Sequence, residues 1–204
     1  PGDLTSLLEQ EFRVLTLPKL PLAAIKTPEG LPLKGRDLYG AWLGCSQDQD
    51  AADCLQALAQ AGIRRASWLV VDHYGLEAAW ESQLLACLAG DAPPRLFAID
   101  DLADRPHQAD LLLDQNFFAE ATEGRYAGLV PEHCRQLLGP HYALLGPEYA
   151  QLRPLVPPRS ELRRVLVFFG GVDPDNLTGR ALEALHAPEL AELAVDVVLE
   201  IGRA

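Results

Sequence analysis

Ala66-Ser67-Trp68-Leu69-Val70-Val71-Asp72-His73-Tyr74-Gly75 is the stretch on which the fold class turns. From Ala66 to Asp72 it is a nearly continuous apolar run, the pattern of a strand covered on both faces in a parallel sheet. Leu76 to Leu88 reads as the helix that returns from it. Leu96-Phe97-Ala98-Ile99-Asp100-Asp101 repeats the design, an apolar strand with polar residues at its carboxyl end, and a short strand around Asp110-Leu111-Leu112-Leu113-Asp114 follows. Upstream, Ala51, Cys54, Leu55, Leu58 and Ala59 share one face of a helix over 47–61, and Ser46 is placed to cap its start. Strand and helix alternate, so the class is α/β with parallel sheets.

Working outward, Leu4, Leu7, Leu8 and Glu11 have helical spacing, and Phe12-Arg13-Val14-Leu15-Thr16-Leu17 predicts a strand ending at Pro18. From Pro18 to Arg36, four prolines and two glycines predict a long loop. Pro154, Pro157, Pro158, Arg159 and Ser160 suit a stiff linker, which divides the chain into a first domain over 1–153, a linker over 154–163 and a second domain from 164 to 204. In that second part Arg164-Val165-Leu166-Val167-Phe168-Phe169 predicts a buried strand, 170–175 a glycine-containing turn, Asn176 to Leu185 a helix and 195–199 a further strand. These elements make the start of a βαβ unit. The chain has no Met, and the strand at 195–199 stops short of the helix such a strand usually feeds. Both features lead us to expect a fragment.

Of the 204 residues, 49% are apolar and 23% charged, which fits a folded soluble protein and argues against disorder, collagen-like repeats and coiled coils. The net charge of −12 repels phosphate backbones and anionic lipids, so nucleic acid and membrane surfaces are poor partners, although one local basic cleft could hold a single nucleotide. No apolar run approaches the roughly 20 residues that span a bilayer, and no secretory signal opens the chain. The expectation is a cytoplasmic protein in which the sequon Asn176-Leu177-Thr178 carries no glycan. Cys45, Cys54, Cys87 and Cys134 form no CxxC pair, so they are expected to be reduced and mostly in the core.

Four groups of residues could carry chemistry. In Phe168-Phe169-Gly170-Gly171-Val172-Asp173-Pro174-Asp175-Asn176 a strand passes through two glycines into a helix start, where backbone N–H groups and the helix dipole favour an anion. An ordinary turn with Asp173 or Asp175 capping the helix fits the same residues. Asp72-His73-Tyr74-Gly75 lies past an apolar strand, at the edge where open α/β sheets keep their ligands. There His73 suits a base and Tyr74 a phenol donor, or both are plain loop residues. Asp100, Asp101, Asp104, Asp110 and His107 gather near Arg105. Metal ligation fits their types, but a short turn favours capping and pairing with Arg105. Asp114-Gln115-Asn116 offers amides to a sugar hydroxyl, or simply a turn. His133, His141 and His186 read as surface residues, and no GxSxG elbow is present.

Taken together, Ala41-Trp42-Leu43-Gly44, Val70-Val71-Asp72-His73-Tyr74-Gly75-Leu76, Ile99-Asp100-Asp101-Leu102-Ala103-Asp104-Arg105 with His107, Ala109 and Asp110, Asp114-Gln115-Asn116, Gly139-Pro140-His141-Tyr142-Ala143-Leu144-Leu145 and Phe168-Phe169-Gly170-Gly171-Val172-Asp173 resemble a bacterial enzyme family. It is the family of UDP-2,4-diacetamido-2,4,6-trideoxy-β-L-altropyranose hydrolases of pseudaminic acid biosynthesis. The resemblance covers residues from about 41 to 178. It implies two Rossmann-like domains of the glycosyltransferase-B type, both incomplete here, with the sugar nucleotide between them. It also implies metal- and cofactor-independent hydrolysis of the anomeric C–O bond with inversion, and no obligate protein partner. Tyr74 is then the catalytic position that transfers. Gly75, Asn116, Gly170, Gly171, Asp173 and Asn176 become substrate-binding candidates, the two later glycines on the phosphate side. The family's base, a His in a Gly-rich loop after the first strand, would precede Pro1, so this chain is expected to be inactive alone. The rival readings are a glycosyltransferase of similar fold using a UDP-sugar, and a nucleotide-sugar-binding fragment without activity.

Overall fold

The computed structural model describes residues 5–18, 34–90, 92–122, 124–158, 160–170 and 173–199. The chain divides into two compact units between Leu144 and Leu145. The division falls upstream of the proline-rich stretch 154–163, which lies in the second unit.

The first unit contains α1 (Thr5–Leu8), α2 (Gly35–Leu43), α3 (Gln47–Gln60), β1 (Trp68–Val71), α4 (Ala78–Cys87), β2 (Arg95–Ile99), β3 (Leu111–Asp114) and β4 (Arg135–Leu138). The four strands form one parallel sheet in the order β1-β2-β3-β4, with Val71 beside Ala98, Ala98 beside Leu112 and Leu113 beside Leu137. Parallel pairing brings every carboxyl end to the same edge. That edge therefore collects the polar residues that follow the apolar strands.

The helix expected over 47–61 is α3, and Ser46 Oγ accepts from the Gln49 N–H at 3.2 Å as its cap. The helix expected after β1 is α4, and the indole of Trp80 donates to Asp50 Oδ1 at 2.8 Å, tying α4 to α3. Ala51, Val71, Trp80, Leu84, Leu96, Ala98, Leu112 and Tyr126 form the core between these helices and the sheet.

Several expectations are corrected. Among the described residues, β1 is not covered on both faces. It stands at the end of the sheet, and Val70 is 57% exposed while Val71 is buried, so alternate residues turn outward as on a half-covered strand. Residues 13–18 are not in a strand, since no described strand lies beside them to take their backbone groups; Arg13 instead donates to the Ala61 carbonyl at 3.0 Å. The loop expected over 18–36 falls largely outside the described residues, but its end is already helical, because α2 begins at Gly35 and closes on Gly44 in the left-handed region. β4 lacked a sequence signal because Arg135 and Gln136 open it. Of the four free cysteines only Cys134 is buried, and Cys87 is exposed.

The second unit contains α5 (Pro147–Leu152), β5 (Arg164–Val167), α6 (Leu177–Leu185) and β6 (Ala194–Val197), with β5 and β6 parallel. This is the expected βαβ arrangement. β5 is not the buried strand expected, because Leu166 is 66% exposed and Val167 alone is buried. Among the described residues, no helix is long and apolar enough to cross a membrane.

The contrast between core and sheet end is testable by urea denaturation. Leu84→Ala should lower stability by about 2–5 kcal/mol, whereas Val70→Thr should change it by no more than about 0.5 kcal/mol. A large loss at Val70 would show that this face of β1 is covered in solution.

Candidate functional site

At the carboxyl edge of the four-stranded sheet lies a pocket of about 250 Å³. Asp72 and Tyr74 reach it from the end of β1, Asp100 and Asp101 from the end of β2, and Gln115 from the end of β3, with Ile99 and Leu113 as its apolar members. Each polar residue sits there because an apolar strand ends immediately before it. The site is thus a property of strand register as much as of any one motif.

Beneath the pocket a buried polar network joins three of the loops. Arg105, 1% exposed, pairs with Asp100 Oδ1 at 2.6 Å and with Asp104 at 3.2 Å. Asp100 Oδ2 accepts from the Ala103 N–H at 2.9 Å and from the Tyr126 hydroxyl at 3.1 Å. The Tyr126 hydroxyl also lies 3.0 Å from Asp114 Oδ2, which accepts in turn from Arg125 Nε at 2.9 Å. Two carboxylates so close together repel unless other groups compensate them, and Tyr126 and Arg125 supply donors while Arg105 supplies a positive charge. Burial pushes the Asp100 carboxyl up, but the Ala103 N–H and the Arg105 charge outweigh it and hold the group below its ordinary value. Burial, reinforced by Asp100 and Asp114, drives the Tyr126 phenol far above its ordinary range, so it remains a donor.

Tyr74 belongs to a tight turn. The Gly75 N–H donates to His73 Nδ1 at 2.9 Å, and a Cβ at Gly75 would stand 2.7 Å from the Tyr39 carbonyl oxygen. Gly75 is buried, so its place in the site is to let the α2 backbone approach. The Tyr74 ring lies against Tyr39 and Trp42, with centroids 5.0 and 6.5 Å away. Burial, then the neighbouring Asp101 carboxylate, pushes the Tyr74 phenol up to about 12, which leaves it protonated at neutral pH. Burial chiefly lowers the pKa of His73, with Arg105 adding to the effect against Asp50 and Asp72. Neutral His73 can accept from Gly75, a turn-closing use of its Nδ1.

Asn116 is exposed and donates from Nδ2 to Asp101 Oδ2 at 2.8 Å, while Asp101 Oδ1 is buried and accepts no hydrogen bond. Of the first-unit candidates, Tyr74 lines the pocket, Gly75 follows Tyr74 in the turn, and Asn116 is outside the lining but bonded to Asp101, which belongs to it. Gly170, Asp173 and Asn176 belong to the second unit, and Gly171 lies outside the described residues. Gly170 has φ +79°, a conformation that glycine adopts without strain. Asp173 accepts from the N–H groups of Leu177 and Thr178 at 2.8 and 2.9 Å, and Asn176, in the left-handed region, accepts from Gly179 at 3.2 Å. Of the two acids weighed as caps, Asp173 is the one used. Its bonds from Thr178, reinforced by Leu177, hold its carboxyl below the usual range.

Of the acids near Arg105, Asp100 and Asp104 pair with it and Asp110 accepts from the Leu96 N–H, whereas Asp101 lines the pocket. His107 is buried with Nδ1 2.6 Å from Glu81 Oε1, and among the described residues no three His, Cys, Asp or Glu side chains converge on a metal position. His133 does have an acidic neighbour, Asp110 at 3.4 Å, which sequence spacing had not indicated. Tyr126, Arg125 and Glu81 were missed as well. The one usable signal for the first two was the pair of acids, Asp100 and Asp114, ending adjacent apolar strands.

Architecture and pocket define an α/β protein built on parallel sheets, with its candidate site at the carboxyl edge of the larger one. No protein-family model matches the chain. It is similar to the UDP-2,4-diacetamido-2,4,6-trideoxy-β-L-altropyranose hydrolase of Campylobacter jejuni, with 29% identity over 126 residues, 62% of this chain and 43% of that protein. The chain thus matches less than half the length of this curated relative.

The buried pair sets a pH dependence. Because the Asp100 carboxyl is held below its unfolded value of about 3.9, its contribution is present above that value and is lost as the pH falls through the lower folded value. Asp100→Asn should lower stability at pH 7 by about 3–5 kcal/mol, leaving the buried Arg105 with only the more exposed Asp104 as a counter-charge, and should flatten the acid limb of the curve. Calorimetry from pH 7 to pH 3 measures both effects; an unchanged acid limb would remove Asp100 as its source.

Proposed function

We propose that the protein to which this chain belongs hydrolyses a UDP-linked 2,4-diacetamido-2,4,6-trideoxy sugar, releasing UDP and the free sugar. The observation that carries this reading is the placement of Tyr74 in one pocket with Asp101 and Gln115 at the carboxyl edge of the sheet. The similarity to a hydrolase of that substrate gives the reading its substrate class.

In the reaction, a water oxygen bonds to the anomeric carbon as the C–O bond to UDP breaks. The electron pair leaves with the diphosphate, and the water proton passes to a base. Tyr74 has the chemistry of a donor in this step. A phenol that keeps its proton up to about pH 12 can stabilise charge on a leaving oxygen, or hold a sugar hydroxyl or acetamido carbonyl, but is a poor base at neutral pH. The Asp101 oxygen left without a donor and the Gln115 side chain would receive and supply hydrogen bonds to sugar hydroxyls and amide groups. In the second unit, Gly170, Gly171, Asp173 and Asn176 are proposed for the nucleotide side. There Asp173 and Asn176 would act by shaping the helix start, since both side chains already cap it.

Phosphorus NMR of UDP release by the full-length protein tests the reading. Turnover of the UDP-diacetamido sugar with water as sole acceptor is expected, and Tyr74→Phe should lower it on the order of 10²-fold, since one oriented donor is removed while the ring packing stays. Release that requires an added sugar or lipid acceptor would replace hydrolysis by glycosyl transfer. Binding of UDP without turnover would leave a binding protein, and unchanged kinetics in Tyr74→Phe would take Tyr74 out of the site.

A further inference from the structure

Arg105 is the largest fully buried side chain among the described residues, and its guanidinium does more than neutralise Asp100. Its Nε donates to the Leu76 carbonyl at 2.7 Å and its Nη2 to the His73 carbonyl at 3.4 Å. Those carbonyls flank Tyr74 and Gly75 on either side. One planar cation therefore holds both shoulders of the turn that carries the phenol, while Nη1 is fixed by Asp100 at 2.6 Å. The next residue continues the clamp, since the Pro106 carbonyl accepts from the Ala78 N–H at 2.9 Å where α4 begins.

The anchor is itself immobilised. Asp100 is held from below by Tyr126 and from its own loop by Ala103, so it cannot follow Arg105 into another arrangement without leaving buried donors unpaired. Besides Arg105, the Tyr74 turn has the bond from Gly75 to His73, the Leu76 N–H donating to the His73 carbonyl at 3.3 Å, the ring contacts with α2 and the Asp101 carboxylate beside the phenol, none of them a charged donor. Removing the fork takes the charged donor from both shoulders, leaving the Leu76 carbonyl without Arg105 and the His73 carbonyl with the Leu76 N–H, so that the remaining ties select the conformation.

We propose that Arg105 is a positioning residue for the reaction: by bridging the carboxylate at the end of β2 to the carbonyls of His73 and Leu76, it fixes the turn that aims the Tyr74 phenol into the pocket. This rests on the reading that Tyr74 works at that pocket. A structural cation would need only Asp100 as its partner. The planar fork and the two carbonyls are what the positioning role uses, and lysine cannot supply that fork.

The test is Arg105→Lys in the full-length protein, which keeps a positive charge beside Asp100 and avoids the buried unpaired carboxylate that Arg105→Ala would create. Hydrogen exchange gives a readout that needs no substrate. The Gly75 amide should exchange about tenfold faster than in the wild type while the amides of β3 keep their protection, which marks a local rather than a global opening. In UDP release, kcat should fall about tenfold with KM within about twofold, and Arg105→Lys combined with Tyr74→Phe should be no more than about twofold slower than Tyr74→Phe alone, because both changes act through one group. Unchanged protection at Gly75, equal loss of protection at Gly75 and β3, or kinetic losses that multiply would each overturn the proposal. If the wild-type protein releases no UDP, the hydrolase reading falls, and the exchange comparison decides whether Arg105 fixes the turn.

Discussion

The first unit depends on a cation and a carboxylate taken out of water together. Arg105 and Asp100 are almost fully buried 2.6 Å apart, and removing either would leave the other's charge buried and poorly compensated. Around that pair the remaining polar groups fall into an order set by hydrogen-bond demand. Asp100 has lone pairs to satisfy and recruits Ala103 and Tyr126; Tyr126 then spans to Asp114, and Arg125 balances Asp114 from the far side. The ends of β2 and β3 are thereby fixed relative to each other by charge and geometry as well as by the ladder between them. A pocket placed on strand ends inherits that rigidity, which is what a site requiring sub-ångström placement needs.

Much of this architecture is visible in the sequence because it rests on local pattern. The strands expected over 66–72, 96–101 and 110–114 and the helix expected over 47–61 survive as β1, β2, β3 and α3. What escaped depends on neighbours. Whether Val70 is covered depends on what flanks β1, and a continuous apolar run looks the same in the middle of a sheet and at its end. Residues 12–17 have the composition of a strand but no described partner to make them one. β4 is a strand because β3 offers it a ladder, although Arg135 and Gln136 give it little β propensity of their own.

The candidate site divides along the same line. Tyr74 could be singled out because it follows an apolar strand, and Asp101 and Gln115 share that position on neighbouring strands. Arg105, by contrast, reaches back across 29 residues to Leu76, a contact no spacing rule contains. Gly75 shows how one letter can be read in two ways: glycine after Tyr74 suggests close approach to a ligand, and the close approach found is that of the Tyr39 backbone. At the start of α6 the ambiguity between anion site and helix cap is weighted by Asp173 and Asn176, whose side chains satisfy the first-turn amides from within the chain.

The position of β1 also bears on colloidal behaviour. Its four residues carry no charge, two of them, Trp68 and Val70, face outward, and among the described residues it ends the sheet, so it has the features that let one molecule pair with another edge to edge. Arg64 and Arg65 before it and Asp72 after it are the nearby charged residues that oppose such pairing. The rest of the opposition is the long-range repulsion of a chain with net charge −12. That repulsion fades as added salt shortens the Debye length to a few ångströms, so high ionic strength favours edge-to-edge association of this chain at high concentration.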